Sequence, residues 1–174
     1  MEVLIPATLL CFKFPMLIGT HTLLPVCAGL LIENAALAKG RGHFFPPWSL
    51  PLIGLFGALP DICTPHLSLE ARYSSWSHTL WFLAAMLPVC AVLATFFGSG
   101  KWRVAVACWL AVLLHLVADA LAGGIAWLYP WRLDVIGKYY IPVDYWIPSD
   151  IAFIFLTWLL VRLRPHAEAR GMKA

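Results

Sequence analysis

Two residues, His115 and Asp119, are set four apart inside an otherwise apolar run over residues 104–122. On a helix that spacing stacks them on one face, one turn apart. Ionisable side chains in such a run are costly and need partners, so the pair reads as metal ligands, a helix-face ion pair or part of a proton relay. Three more groups of the same kind, His21, Asp61 and His78, each stand near the end of their own apolar segment. Three imidazoles and two carboxylates are the donors that zinc and other divalent transition metals prefer. The polar loop between Asp61 and His78 carries Glu70 and Arg72. There Arg72 could hold a phosphate oxygen by paired hydrogen bonds and Glu70 could act as acid or base, while a solvated loop is the plain alternative.

Such groups must be positioned by a membrane-embedded scaffold. The 174 residues are 61% hydrophobic and only 12% charged, well outside soluble composition. The reading is an all-α integral membrane bundle of four to five transmembrane segments, one domain over 1–174. Net charge is +3 with the cations spread along the chain, which leaves no electrostatic footprint for nucleic acid. Five cysteines, an odd number without C-x-x-C spacing, read as buried small hydrophobes. The start of the chain lacks a basic signal-peptide region, so no processing is expected.

The segments fall at about 14–36, 49–60, 78–97, 102–121 and 151–163. Pro60 is expected to break the second, which is short for a span. Ser77 is expected to cap the third and Ser149-Asp150 the last. Gly98-Ser99-Gly100 makes a tight turn, and Gly123-Gly124 closes the fourth segment. The aromatic residues of 127–148, among them Trp131, Tyr139 and Tyr140, suit a loop lying in the headgroup layer and lining an access path for lipid.

Five alternating segments put His21, Asp61, His78, His115 and Asp119 at ends that all face one side. His21 alone would read as a core histidine, Asp61 as a turn residue and His78 as a first-turn residue; their agreement reverses this and points to one composite site. His43, His66 and His166 read as loop residues, with His66 a reserve ligand, and Cys63 is a weak thiolate alternative. The loops and tail opposite the site carry eight cations against four on the site's side. The positive-inside rule then places the C-terminus in the cytoplasm and the site on the outer, periplasmic face.

Thr20-His21, Gly57-Ala58-Leu59-Pro60-Asp61, Ser77-His78-Thr79-Leu80, His115-Leu116-Val117-Ala118-Asp119 and Tyr129-Pro130-Trp131 occur in that order. This combination resembles the bacterial membrane-bound metal-dependent hydrolases related to a damage-inducible inner-membrane protein. That family's pattern continues after Pro-Asp with a further ligand, where this chain reads Ile62-Cys63-Thr64-Pro65. The order His, Asp, His, His-x-x-x-Asp is also similar to the start of the ligand set in zinc-dependent phospholipase C, whose later His and Glu pair is absent here.

The resemblance implies a bacterial inner-membrane hydrolase with His21, Asp61, His78, His115 and Asp119 as ligands. The expected cofactor is zinc, one ion or two, and other divalent metals fit the same donors. Asp61 or Asp119 would take the proton from a metal-held water, and a phosphate ester of a lipid headgroup is the expected substrate. A metal or proton transporter, a structural metal staple and a membrane zinc amidase or esterase use the same ligands and stay open as alternatives. Substrate identity and oligomeric state have no signal in the sequence.

Overall fold

The computed structural model describes residues 18–65, 69–96 and 101–172. Among them the chain forms six helices: α1 (Ile18–Ala38), α2 (Ser49–Cys63), α3 (Leu69–Arg72), α4 (Leu80–Phe96), α5 (Lys101–Leu121) and α6 (Trp146–Gly171). Short 3-10 turns at Trp76–His78 and Val143–Tyr145 lead into α4 and α6. The described residues hold no strand, only isolated bridges between Ala122 and Tyr139 and between Ile125 and Ile136. Cys11, Lys13, Phe14, His66, the Gly98-Ser99-Gly100 turn and Lys173 lie outside the described residues.

Three helices, over Gly19–Ala38, Trp102–Leu121 and Trp146–Gly171, are long and apolar enough to cross a membrane. α2 and α4 are apolar but have only 15 and 17 residues, or roughly 22 and 26 Å of helix. The protein is thus a helical membrane bundle in which two of the five longer helices are short for a ~30 Å core. α6 exposes Ile151, Ile154, Phe155 and Trp158, a face that belongs against lipid because water would not favour so contiguous an apolar surface.

α5 is the axis, packing on α1, α2 and α4, while α6 lies along α1. Its Cys108, Ala111, Val112 and Leu116 are buried, so a side chain in its last two turns is held from several sides. α1 and α2 touch almost backbone to backbone. A Cβ at Gly57 would lie 2.3 Å from the His21 carbonyl oxygen, so only glycine permits the approach that brings the end of α2 to the start of α1.

Three boundaries differ from the sequence expectation. α2 continues through Pro60 to Cys63. Pro60 stands in its last turn, where its fixed φ is helical and only one backbone bond is lost. The Pro60 carbonyl then accepts from the Thr64 amide at 3.2 Å and from Ser77 Oγ at 2.7 Å. Ser77 is therefore committed to α2; the residue capping α4 is Thr79, whose Oγ1 accepts from the Phe82 amide at 3.2 Å. α6 begins at Trp146, ahead of Ser149-Asp150, and runs on to Gly171. Ser149 Oγ bonds back to the Tyr145 carbonyl, and Asp150 is spent on a buried hydrogen bond from Thr20 of α1.

Candidate metal centre

Each of the five residues arrives from a different local cause. His115 and Asp119 come from the last two turns of α5, His21 from the first turn of α1 and Asp61 from the last turn of α2. His78 stands in the 3-10 turn before α4, held by hydroxyls on both flanks. All five meet at one end of the bundle, as their segment ends predict. His21, His78, His115 and Asp119 are buried to within 1%.

The hydrogen bonds behind the imidazoles set which nitrogen faces inward. His115 Nδ1 lies 2.7 Å from the Gly57 carbonyl oxygen, which can only accept, so Nδ1 carries the proton and Nε2 presents a lone pair. Behind His78 Nδ1 stand Ser75 Oγ at 2.9 Å and Ser77 Oγ at 3.1 Å. Ser77 gives its own proton to Pro60 and so accepts from His78. Thr64 Oγ1 closes this hydroxyl cluster against Ser75 at 2.5 Å and against Ser77.

Three inward-facing atoms are evenly spaced. His78 Nε2 and His115 Nε2 are 3.2 Å apart, and Asp119 Oδ2 is 3.3 Å from the first and 3.2 Å from the second. Asp61 Oδ1 is 3.2 Å from His78 Nε2 and 3.6 Å from His115 Nε2. Metal–ligand bonds of about 2.0–2.1 Å in a tetrahedron give edges of roughly 3.3 Å, so the His78, His115 and Asp119 atoms fit three corners of the shell of one zinc-sized ion. His21 is the fifth, its Nε2 3.2 Å from Asp119 Oδ1 and its ring 4.0 Å from that of His115. Two overlapping sets, His21 with Asp61 and His115 and His78 with His115 and Asp119, each keep their donor atoms within 4.8 Å.

Asp119 is buried with both carboxylate oxygens lacking any contact of hydrogen-bond geometry, although Arg72 Nη1 is 2.9 Å from Oδ1. A buried carboxylate left in that condition is expensive unless a cation sits among its neighbours. Arg72 supplies one positive charge and also reaches the Asp119 carbonyl at 3.4 Å. For His78, which lies outside the helices, burial pulls the pKa down but the Asp119 and Asp61 carboxylates outweigh it and hold it above the ordinary imidazole value. Asp61 alone among the five reaches solvent, with 14% of its side chain exposed.

The sequence model of the YdjM inner membrane protein family matches residues 16–171. The chain belongs to this family. The match takes in all five ligand candidates. No curated protein and no solved structure matches the chain.

Arg72, expected at an open loop, is buried against Asp119, and the Glu70 side chain lies outside the described residues. His43 pairs with Glu33 and His166 borders a cavity beside Arg170, both at the opposite end of the bundle. Cys63 is exposed and stands outside both donor groups. Cys27, Cys90 and Cys108 are buried as free thiols. Sequence reasoning missed the hydroxyls of Thr64 and Ser75 and read Ser77 as a cap; the signal for the two serines is their place just before a histidine, in Ser74-Ser75-Trp76-Ser77-His78. It also missed the role of Gly57, which both admits α1 and orients His115 through its carbonyl.

Proposed function

We propose that the chain is a membrane metal-dependent hydrolase that cleaves a phosphate ester of a lipid headgroup. His21, Asp61, His78, His115 and Asp119 hold the ion, zinc by donor type. The observation that carries this reading is the even spacing of three donor atoms, those of His78, His115 and Asp119, beside Asp61, the one candidate that reaches solvent. A purely structural staple would need no such opening, and a transporter would need polar groups along a path beyond the ligand layer, where α4 and α5 are apolar and α1 turns polar only at Glu33 and Asn34 near its other end.

Bound there, the ion supplies Lewis acidity and a water whose pKa is lowered towards about 7. Asp61, the candidate nearest solvent, would be placed to take up a proton there. Arg72 holds Asp119 in place and offsets its charge. Its buried Nε has no hydrogen-bond partner among the described residues, which leaves one donor for a non-bridging phosphate oxygen. Glu70, at the start of the same short helix, is the candidate acid for the leaving group.

The substrate class is supported by surroundings. Trp131, Tyr139 and Tyr140, all exposed, occupy the loop at the site's end of the bundle, where amphipathic rings favour the headgroup layer. The excess of cations at the opposite end supports a cytoplasmic C-terminus and a periplasmic site. The test is release of phosphorylated headgroup from mixed bacterial lipids by the purified protein in detergent, with and without chelator. Chelator-sensitive product is expected. No such product from any phospholipid or isoprenoid phosphate would overturn the phosphoesterase reading, and cleavage of an amide or acyl ester would move the enzyme to another class.

A further inference from the structure

The end of the bundle opposite the metal centre holds a cavity of about 380 Å³ between the end of α1, the loop after it and the start of α5. Its charged and titratable lining is Lys39, Arg41, His43 and Arg103, with no acidic residue. The nearest carboxylate, Glu33, is already engaged by His43, Arg164 and the amides of Phe44 and Phe45. Among the described residues Lys39, Arg41 and Arg103 have no carboxylate partner. Arg103 is nonetheless aimed, its guanidinium 4.6 Å over the Phe44 ring and Nη1 3.4 Å from the Phe44 carbonyl oxygen. The cavity's other wall is Ile32 and Ala35, on the exposed apolar side of α1.

Unpaired cations beside a lipid-facing apolar strip match an amphiphile with an anionic head. The depth agrees, because His21 and Lys39 are separated by about 27 Å of helical rise, which puts the cavity at the second membrane–water interface. We propose that this cavity binds the phosphate of an anionic phospholipid, its head among Lys39, Arg41 and Arg103 and its chains along Ile32 and Ala35. Basic pockets between membrane helices favour such headgroups. The proposal is independent of the reaction at the other end.

The test is native mass spectrometry of the full-length protein in detergent, titrated with phosphatidylglycerol and phosphatidylcholine, and with soluble glycerol phosphate as a third arm. Phosphatidylglycerol should bind selectively. Replacing both Lys39→Gln and Arg41→Gln should weaken it about 30-fold, or about fivefold per cation, without changing phosphatidylcholine binding. Lys39→Arg with Arg41→Lys should retain binding. Arg103→Gln is the second variant should the double one not fold. Equal binding of the two lipids, undiminished binding by the neutralised variants, or competition by glycerol phosphate at the lipid's own concentration would overturn the proposal.

Discussion

The two ends of this bundle each bury a carboxylate among an imidazole and a guanidinium, and they treat it in opposite ways. Glu33 is saturated: His43 Nδ1 lies 2.7 Å from Oε1, the amides of Phe44 and Phe45 both donate to Oε2 at 2.9 Å, and Arg164 stands 3.6 Å away. Asp119 has three imidazole nitrogens and Arg72 within 3.3 Å and no hydrogen bond of proper geometry. Residue type does not separate a staple from a site; the satisfaction of each oxygen does. Glu33 ties the loop after α1 to α6, whereas Asp119 is crowded by donors that converge as they would around a cation.

Breaking that contrast should affect different properties at the two ends. Asp119→Asn should lower turnover by about 10³-fold or more, because a ligand is lost with its charge. Some stability should go with it, because the buried Arg72 loses its counter-charge. Glu33→Ala should leave metal content and turnover unchanged while destabilising the fold by about 3 kcal/mol, since two amides and Arg164 lose a buried acceptor. Reversible unfolding in mixed detergent measures it. A Glu33 variant with unaltered stability would remove the distinction between the ends.

Smaller effects sharpen the account around the ligands. Arg72→Ala should retain metal and slow turnover about 100-fold, the scale of losing one donor to a developing oxyanion; loss of metal instead would make it only a partner of Asp119. Ser75→Ala combined with Ser77→Ala should weaken metal affinity by roughly tenfold to 100-fold, as outer-shell changes do. Competition against a chromogenic chelator reads this directly, and unchanged affinity would show that His78 is oriented without them.

The legible part of this molecule was its long-range order. α1 and α5 are continuous apolar runs, so their extents and the common side of the five ligand candidates could be read from spacing and alternation. What could not be read was anything made by two distant segments. Pro60 looks like a breaker until Ser77 and Thr64 are seen to take up its carbonyl. Asp150 looks like a cap, yet its bond is with Thr20, 130 positions away. Arg72 looks like a surface cation because its loop is polar, but the packing of that loop on α5 buries it. Glycine at position 57 carries no chemistry of its own, and its place against the His21 carbonyl appears only with the crossing of α1 and α2.

The central claim, that five residues at one end form a metal centre, is tested most directly by elemental analysis of the protein purified without chelator. Wild type and His166→Ala should each carry about one divalent transition metal per chain or more, with zinc foremost, and His115→Ala should carry little. Equal metal in wild type and His115→Ala, or none in wild type even after supply of zinc, would contradict it.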